Sequence, residues 1–205
     1  MNNEDSQFDF KCFPVDIYIS TPKKTQVNVT ISAPRFTGTK EYHQISLTYG
    51  QLKNVQLNCK IRVFGSRVEQ KAVYIIATEE IVVYTINRQP DSTDGYLAFP
   101  IDVLGTRHFV VTYCVHGNTK YLNNIVIAAP DDNTGVEIKL ADNVGISVRL
   151  DGHTYRRRNV IKRILKQYDV LQIETLGDLT GSRVQSNKPI TVTEWQQEER
   201  RTSYS

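Results

Sequence analysis

The stretch GDLTGSRVQSNKPITV (residues 177–192) decides how this chain is read. Taken alone, its Asp, Gly, Ser and Arg residues have the makings of a ligand-binding or catalytic loop. Its second half, however, reads as two short strands around a polar turn, and that device recurs. IIATEEIVV (75–83) has the same form as VQSNKPITV (184–192): a strand, a polar turn, then a strand with Ile-x-Val. A second pair, VNVTISAP (27–34) and NNIVIAAP (123–130), precedes the first in both halves. Two copies of a multi-stranded unit of about 100 residues are therefore expected. Each copy has the size of a β-sandwich module, and pairs of four-stranded propeller blades are the alternative. On this reading Gly177 and Gly181 serve turns and Asp178 caps one. Pro189 opens a strand where its missing N–H costs little, and Ile190 and Val192 share a core face.

The rest of the chain agrees with an all-β fold of two related antiparallel units. Runs rich in Val, Ile, Tyr and Thr occur at 15–20, 26–32, 73–77, 81–87, 108–113, 124–129, 135–140, 169–174 and 189–195. Several alternate with period two, as half-buried strands do. TPKK, SAPRFTG, ATEE, QPDSTDG, APDDNTG, LDGH and SNKP supply turn chemistry between them. The expected organisation is a polar leader (1–12), a first β unit (13–100), a second β unit (101–195) and a polar tail (196–205). One stretch is ambiguous. RRRNVIKRILKQY (156–168) places Val160, Ile161, Ile164, Leu165 and Tyr168 on a helical face. A basic hairpin followed by an edge strand fits as well, because Lys and Arg on an edge strand block sheet-to-sheet pairing.

Composition narrows the function classes. The 25 basic and 22 acidic residues give a net charge of +3, too balanced for a dedicated nucleic-acid binder. No apolar run approaches the roughly 20 residues of a membrane-spanning helix. The first ten residues, MNNEDSQFDF, lack the basic and apolar pattern of a secretory signal. That leaves a cytoplasmic protein or part of a secreted one. Cys12, Cys59 and Cys114 cannot all pair within the chain, and none forms a C-x-x-C motif. Asn28-Val29-Thr30 is an N-glycosylation acceptor, with Asn28 as its attachment site.

Catalytic and metal-binding patterns are absent from the sequence. His43, His108, His116 and His153 lack metal-ligand spacing, and no nucleophile elbow, P-loop or dinucleotide fingerprint is present. Cys114 and His116 would share a strand face, which coincidence explains better than a thiol–imidazole pair does, because catalytic pairs are normally distant in sequence. PDSTDG (90–95) and PDDNTG (130–135) carry Asp and Asn as calcium loops do, but turns need the same residues. No catalytic residue, metal or cofactor is therefore expected. The candidate binding surface is the basic run, Arg156, Arg157, Arg158, Lys162, Arg163 and Lys166. Its guanidinium groups suit sulfated or sialylated glycans or phosphates, and Tyr155 and Tyr168 flank it. The competing view is a solvated insertion that protects an edge strand.

Three segments bear a family resemblance. EEIVVYTINRQPDSTDGYLAFPIDVLGTRHFVVTY (79–113), IVIAAPDDNTGVEIKL (125–140) and YDVLQIETLGDLTGSRVQSNKPITV (168–192) resemble, in this order, the amino-terminal domain of the IgGFc-binding protein family. The resemblance runs from Phe13 to Val192, carried before Gly65 by strand pattern alone. It implies a non-catalytic binding or structural module of an extracellular, mucus-type or cell-surface adhesive glycoprotein, with a protein or glycan partner. No motif in it marks antibody contacts. After Val192 the family continues with Gly/Ser-rich and cysteine-containing sequence, where this chain has TEWQQEERRTSYS. The alternatives are a hydrolase whose site is assembled from loops, and an intracellular basic adaptor.

Overall fold

The computed structural model describes residues 13–38, 40–88, 93–113 and 121–198. The first half forms β1 (Val15–Ser20), β2 (Val27–Ser32), β3 (Tyr42–Leu47), β4 (Leu52–Leu57), β5 (Arg67–Glu69), β6 (Tyr74–Ala77), β7 (Val82–Arg88) and β8 (Thr93–Ala98). The second forms β9 (Arg107–Phe109), β10 (Tyr121–Ala128), β11 (Thr134–Lys139), β12 (Ser147–Leu150), β13 (His153–Arg156), β14 (Val160–Leu165), β15 (Val170–Thr175), β16 (Arg183–Ser186) and β17 (Thr191–Glu198). Every strand pairing is antiparallel.

Alternation along these strands builds two cores. In the first half, Ile17, Ile19, Val55, Leu57 and Val83 from the sheet β4-β1-β7-β8 meet Val27, Val29, Ile31 and Leu47 from the sheet β3-β2-β6. In the second, Ile125, Ile127, Leu171 and Ile173 from β17-β10-β15-β5 meet Val136, Ile138, Ile161, Leu165 and Val184 from β14-β11-β16-β9. Two facing sheets sharing one apolar layer make a sandwich in each half, and the propeller alternative does not describe them.

The two sandwiches share one strand plan. The orders β4-β1-β7 and β3-β2-β6 recur as β15-β10-β17 and β14-β11-β16. This bears out a repeat, and it corrects one pairing read from sequence. VNVTISAP contains β2, whereas NNIVIAAP contains β10, whose counterpart is β1. The hairpin match is right: β6 and β7 are the counterparts of β16 and β17. The second copy is longer because the β12–β13 hairpin lies between the counterparts of β2 and β3. The first copy instead carries β5 between its fourth and sixth strands.

β5 joins the two halves. It pairs with β15, setting Glu69, Val68 and Arg67 opposite Val170, Leu171 and Gln172. The Gly65 N–H donates to Glu174 Oε2 (3.1 Å), and Gln172 Nε2 donates to the Gly65 carbonyl (3.4 Å). Arg35 donates to the Gln167 carbonyl and pairs with Asp169. Val170 and Gln172 thus face away from their own core and are still buried.

Asp16 is the other buried polar group with a testable consequence. It points away from the core, because its neighbours Ile17 and Ile19 alternate with it. Burial alone would raise its pKa. Hydrogen bonds from Gln56, Asn54 and Arg88, with the Arg88 charge, outweigh that and hold the carboxyl below its ordinary value. A depressed folded value means stability that is present above the unfolded pKa and lost as pH falls through the folded one. Asp16→Asn is therefore expected to cost about 1–2 kcal/mol at pH 7, since Arg88 is half-exposed and screened. Its Tm should also fall less steeply than that of the wild type below pH 4. Parallel acid limbs in the two melting series would refute this assignment.

Candidate functional site

The basic run folds as a hairpin followed by an edge strand, not as a helix. Val148 and Leu150 alternate into the core, so β12 must turn its other face outward. The Asp151-Gly152 step closes the β12–β13 hairpin with two residues at positive φ (50° and 78°), the geometry that matches strand twist. Tyr155 is half-buried and packs against the core. Arg158 sits at φ 66°, where its N–H donates to the Ala141 carbonyl (3.1 Å). Asn159 Oδ1 accepts from the Arg156 N–H (2.8 Å), and the chain then enters β14 at the sheet edge.

Acidic neighbours offset much of this charge. Arg157 and Arg158 converge on Asp142, Lys162 meets Glu137 across the β11–β14 ladder (2.9 Å), and Arg163 reaches Asp151 at the hairpin turn (2.8 Å). The Arg158 hydrogen bond holds the Asp142 carboxyl below its usual range despite some desolvation. Among the described residues, Arg156 and Lys166 have no carboxylate within 4.0 Å. The run does not share one face. Lys162 points outward from its sheet, while Arg163, one residue on, turns toward the hairpin. Tyr168 lies at the junction of the halves, its ring 5.7 Å from that of Tyr74.

The fold adds cations that the sequence keeps apart. Lys139 in β11 stands opposite Arg183 in β16, and Arg183 stands opposite Phe109 in β9. Glu137 lies between Lys162 and Gln185, which faces Arg107. The outer face of this sheet therefore carries Lys139, Arg183, Lys162 and Arg107 against the single carboxylate of Glu137. The Arg183 guanidinium lies 5.3 Å from the centre of the Phe109 ring. At the end of β11, Lys139, Arg158 and Arg183 line an open depression of about 210 Å³ with Asp142 and Gly181. Gly181 takes φ 88° there, so the turn that follows it delivers Ser182 to the Ala141 N–H (3.0 Å) and Arg183 to the rim. Three cations around one carboxylate favour an anionic group. Sequence reading reached Arg158 but not Lys139, which only register places beside Arg183.

Asn28 is exposed in β2, and its Oδ1 accepts from Ser46 Oγ (2.7 Å) and Gln26 Nε2 (3.3 Å). Residues 130–135 form a turn in which Thr134 Oγ1 donates to the Asp131 carbonyl and Asn133 takes φ 50°. Among the described residues no three His, Cys, Asp or Glu side chains group as metal ligands. No helix among them is long and apolar enough to cross a membrane. Cys59 is disulfide-bonded. Cys12, Cys114, His116 and residues 90–92 of the other acidic loop lie outside the described residues, as do 1–12 and 199–205.

Two comparisons with known proteins found matches. The family model described as IgGFc binding protein matches residues 94–198, half of the chain and most of the second sandwich. The IgGFc-binding protein of Homo sapiens is 27% identical over 182 residues, covering 89% of this chain but 3% of that protein. The chain thus spans a small fraction of the length of that relative. No solved structure matches.

Proposed function

The chain belongs to the IgGFc binding protein family, and from that premise we propose that it is a non-catalytic binding module of an extracellular, adhesive or mucus-type protein. The observation that carries the reading is the cationic outer face of the sheet β14-β11-β16-β9, which suits anionic groups on a glycan or protein partner. Arg158 and Lys162 belong to this face with Lys139, Arg183 and Arg107. Arg156 and Lys166 add to the positive field around it, Arg157 and Arg163 are held in ion pairs beside it, and Tyr155 anchors the β12–β13 hairpin that ends at Arg156. The two units are taken as residues 13–100 and 101–195, the second holding the site.

A glycan and mucus-protein binding array tests this reading. Lys139→Ala combined with Arg158→Ala and Arg183→Ala is expected to weaken binding about tenfold or more, corresponding to at least 1.4 kcal/mol. Wild-type binding should also fall as salt rises. Arg156→Ala with Arg157→Ala should have a smaller effect, because neither residue lines the depression. Retention of every wild-type ligand by the triple variant would sink the proposal.

The extracellular setting draws on two further features. A disulfide at Cys59 is favoured by an oxidising compartment. The Asn28 side chain projects from an exposed strand position suited to a surface glycan. Protein from a secreting eukaryotic cell should carry a glycan at Asn28 that endoglycosidase removes and Asn28→Gln abolishes. An unmodified Asn28 in secreted protein would count against the assignment.

A further inference from the structure

The edge of the second sandwich at β9 offers a different kind of site. Among the described residues, the segment from Thr106 to Thr112 is held along one side only. Thr106 accepts from the Ser186 N–H (2.9 Å), Val110 donates to the Ser182 carbonyl (3.0 Å), and Gly181 donates to the Val110 carbonyl (2.9 Å). Thr112 donates its N–H to Thr180 Oγ1 (3.0 Å), and Thr180 Oγ1 donates to the Thr112 carbonyl (2.9 Å). Even-numbered residues thus turn their backbone groups toward β16 and the loop before it. In an antiparallel ladder the alternate residues point the other way. The backbone groups of Arg107, Phe109 and Val111 point outward, and no described residue bonds them.

The side chains on this edge are as unusual as its backbone. Phe109, Val111 and Tyr113 are 70%, 72% and 75% exposed, whereas Val110 between them is 1% exposed. Edge strands are ordinarily blunted by charge, and β14, at the opposite edge of the same sheet, carries Lys162 and Arg163 in ion pairs. The β9 edge has Arg107 at one end and an apolar row beyond it, with Arg183 stacked behind Phe109. The cations attract carboxylates, the apolar row prefers burial, and the outward N–H and C=O groups require a strand.

We infer that the edge from Arg107 to Val111 binds an extended acidic peptide segment of a partner protein by β-augmentation. In antiparallel register the partner places a carboxylate beside Arg107 and apolar side chains beside Phe109 and Val111. This edge adjoins the cationic face through Arg107 and Arg183 but lies beyond the Lys139 and Arg158 side of the depression.

The probe is the blocked peptide Thr-Val-Thr-Val-Thr-Glu-Thr, with a copy N-methylated at both valines and the glutamate. Amide hydrogen exchange in the whole chain reads the result. Binding should slow exchange at the Phe109 and Val111 amides. N-methylation, or Phe109→Ser with Val111→Ser, should weaken binding about tenfold or more. Lys139→Ala with Arg158→Ala should weaken binding less than Phe109→Ser with Val111→Ser does, which separates this edge from the cationic depression. Equal binding of the N-methylated peptide, protection at other amides, or absence of binding overturns the inference. Protection of Phe109 and Val111 without peptide, rising with protein concentration and accompanied by dimer formation, also overturns it by making a second copy the occupant.

Discussion

Gly177→Ala is expected to destabilise the protein by about 3 kcal/mol, the upper end of what overpacking costs. The cause is a close backbone approach. A Cβ at Gly177 would lie 2.4 Å from Gly145 C and from Ile146 N, and 2.6 Å from Gly145 O. No rotamer change relieves a clash with main chain, so two segments must move apart. Both are pinned: the Gly177 carbonyl accepts from buried Asn123 Nδ2 (3.1 Å), and Thr175 Oγ1 accepts from the Ser147 N–H (3.0 Å). In a chain of this size the Tm should fall by about 6–12 °C. Gly152→Ala is the control. It has φ 78° with nothing within 4 Å of the added Cβ, and a left-handed residue costs about 1–2 kcal/mol. Turn chemistry in the sequence assigns both glycines to turns and does not mark the close contact at Gly177. A Gly177→Ala protein that melts at or above the Gly152→Ala protein would contradict the packing account.

The second large effect separates the two readings of the basic run. Ile161→Ala should cost about 3 kcal/mol, because Ile161 is fully buried between the sheets opposite Ile138. Ile164→Ala should cost under about 0.5 kcal/mol, because Ile164 is 77% exposed on the outer face. A helix would have put both residues on one apolar stripe with comparable costs. Urea denaturation of the two variants gives the comparison directly, and equal losses would exclude the edge strand.

Those two residues show how far periodicity reaches. Val160, Ile161, Ile164 and Leu165 satisfy a helical spacing, but the same residues in a strand split into an inner pair, Ile161 and Leu165, and an outer pair, Val160 and Ile164. Cross-strand pairing with β11 decides between the two, and partners 21 to 31 residues away leave no local mark. β1 was legible to the residue because VDIYIS alternates cleanly. β3 and β4 were not, because half the positions of YHQISL and LKNVQL are polar and most are exposed. The mismatch of β2 with β10 has a similar origin. Alternating Val and Ile ending in a small residue and Pro describes any inner strand, so resemblance between two strands does not establish their equivalence.

The candidate site was half legible. The charge of Arg156, Arg157, Arg158, Lys162, Arg163 and Lys166 stands out in the sequence, but its partners do not. Asp142, Glu137 and Asp151 form ion pairs with four of the six cations, and Lys139, Arg183 and Arg107 join Arg158 and Lys162 on the outward face. In 177–192, Gly181 serves a turn and Asp178 Oδ1 accepts from the Thr180 N–H (2.8 Å), both as the sequence indicates. Ile190 is fully buried and Val192 packs against the same core, again as read.

The sequence by itself determined the all-β class, the repeated hairpin, the inward residues of the best strands and the family. These depend on local alternation and turn chemistry, which each segment carries within a few residues. Only the tertiary structure decided that Gly177 is a packing glycine, that β5 crosses to the other sandwich, and which cations share a face. These are fixed by register and by contact between distant segments. Sequence position says nothing of such contacts until the sheets are paired.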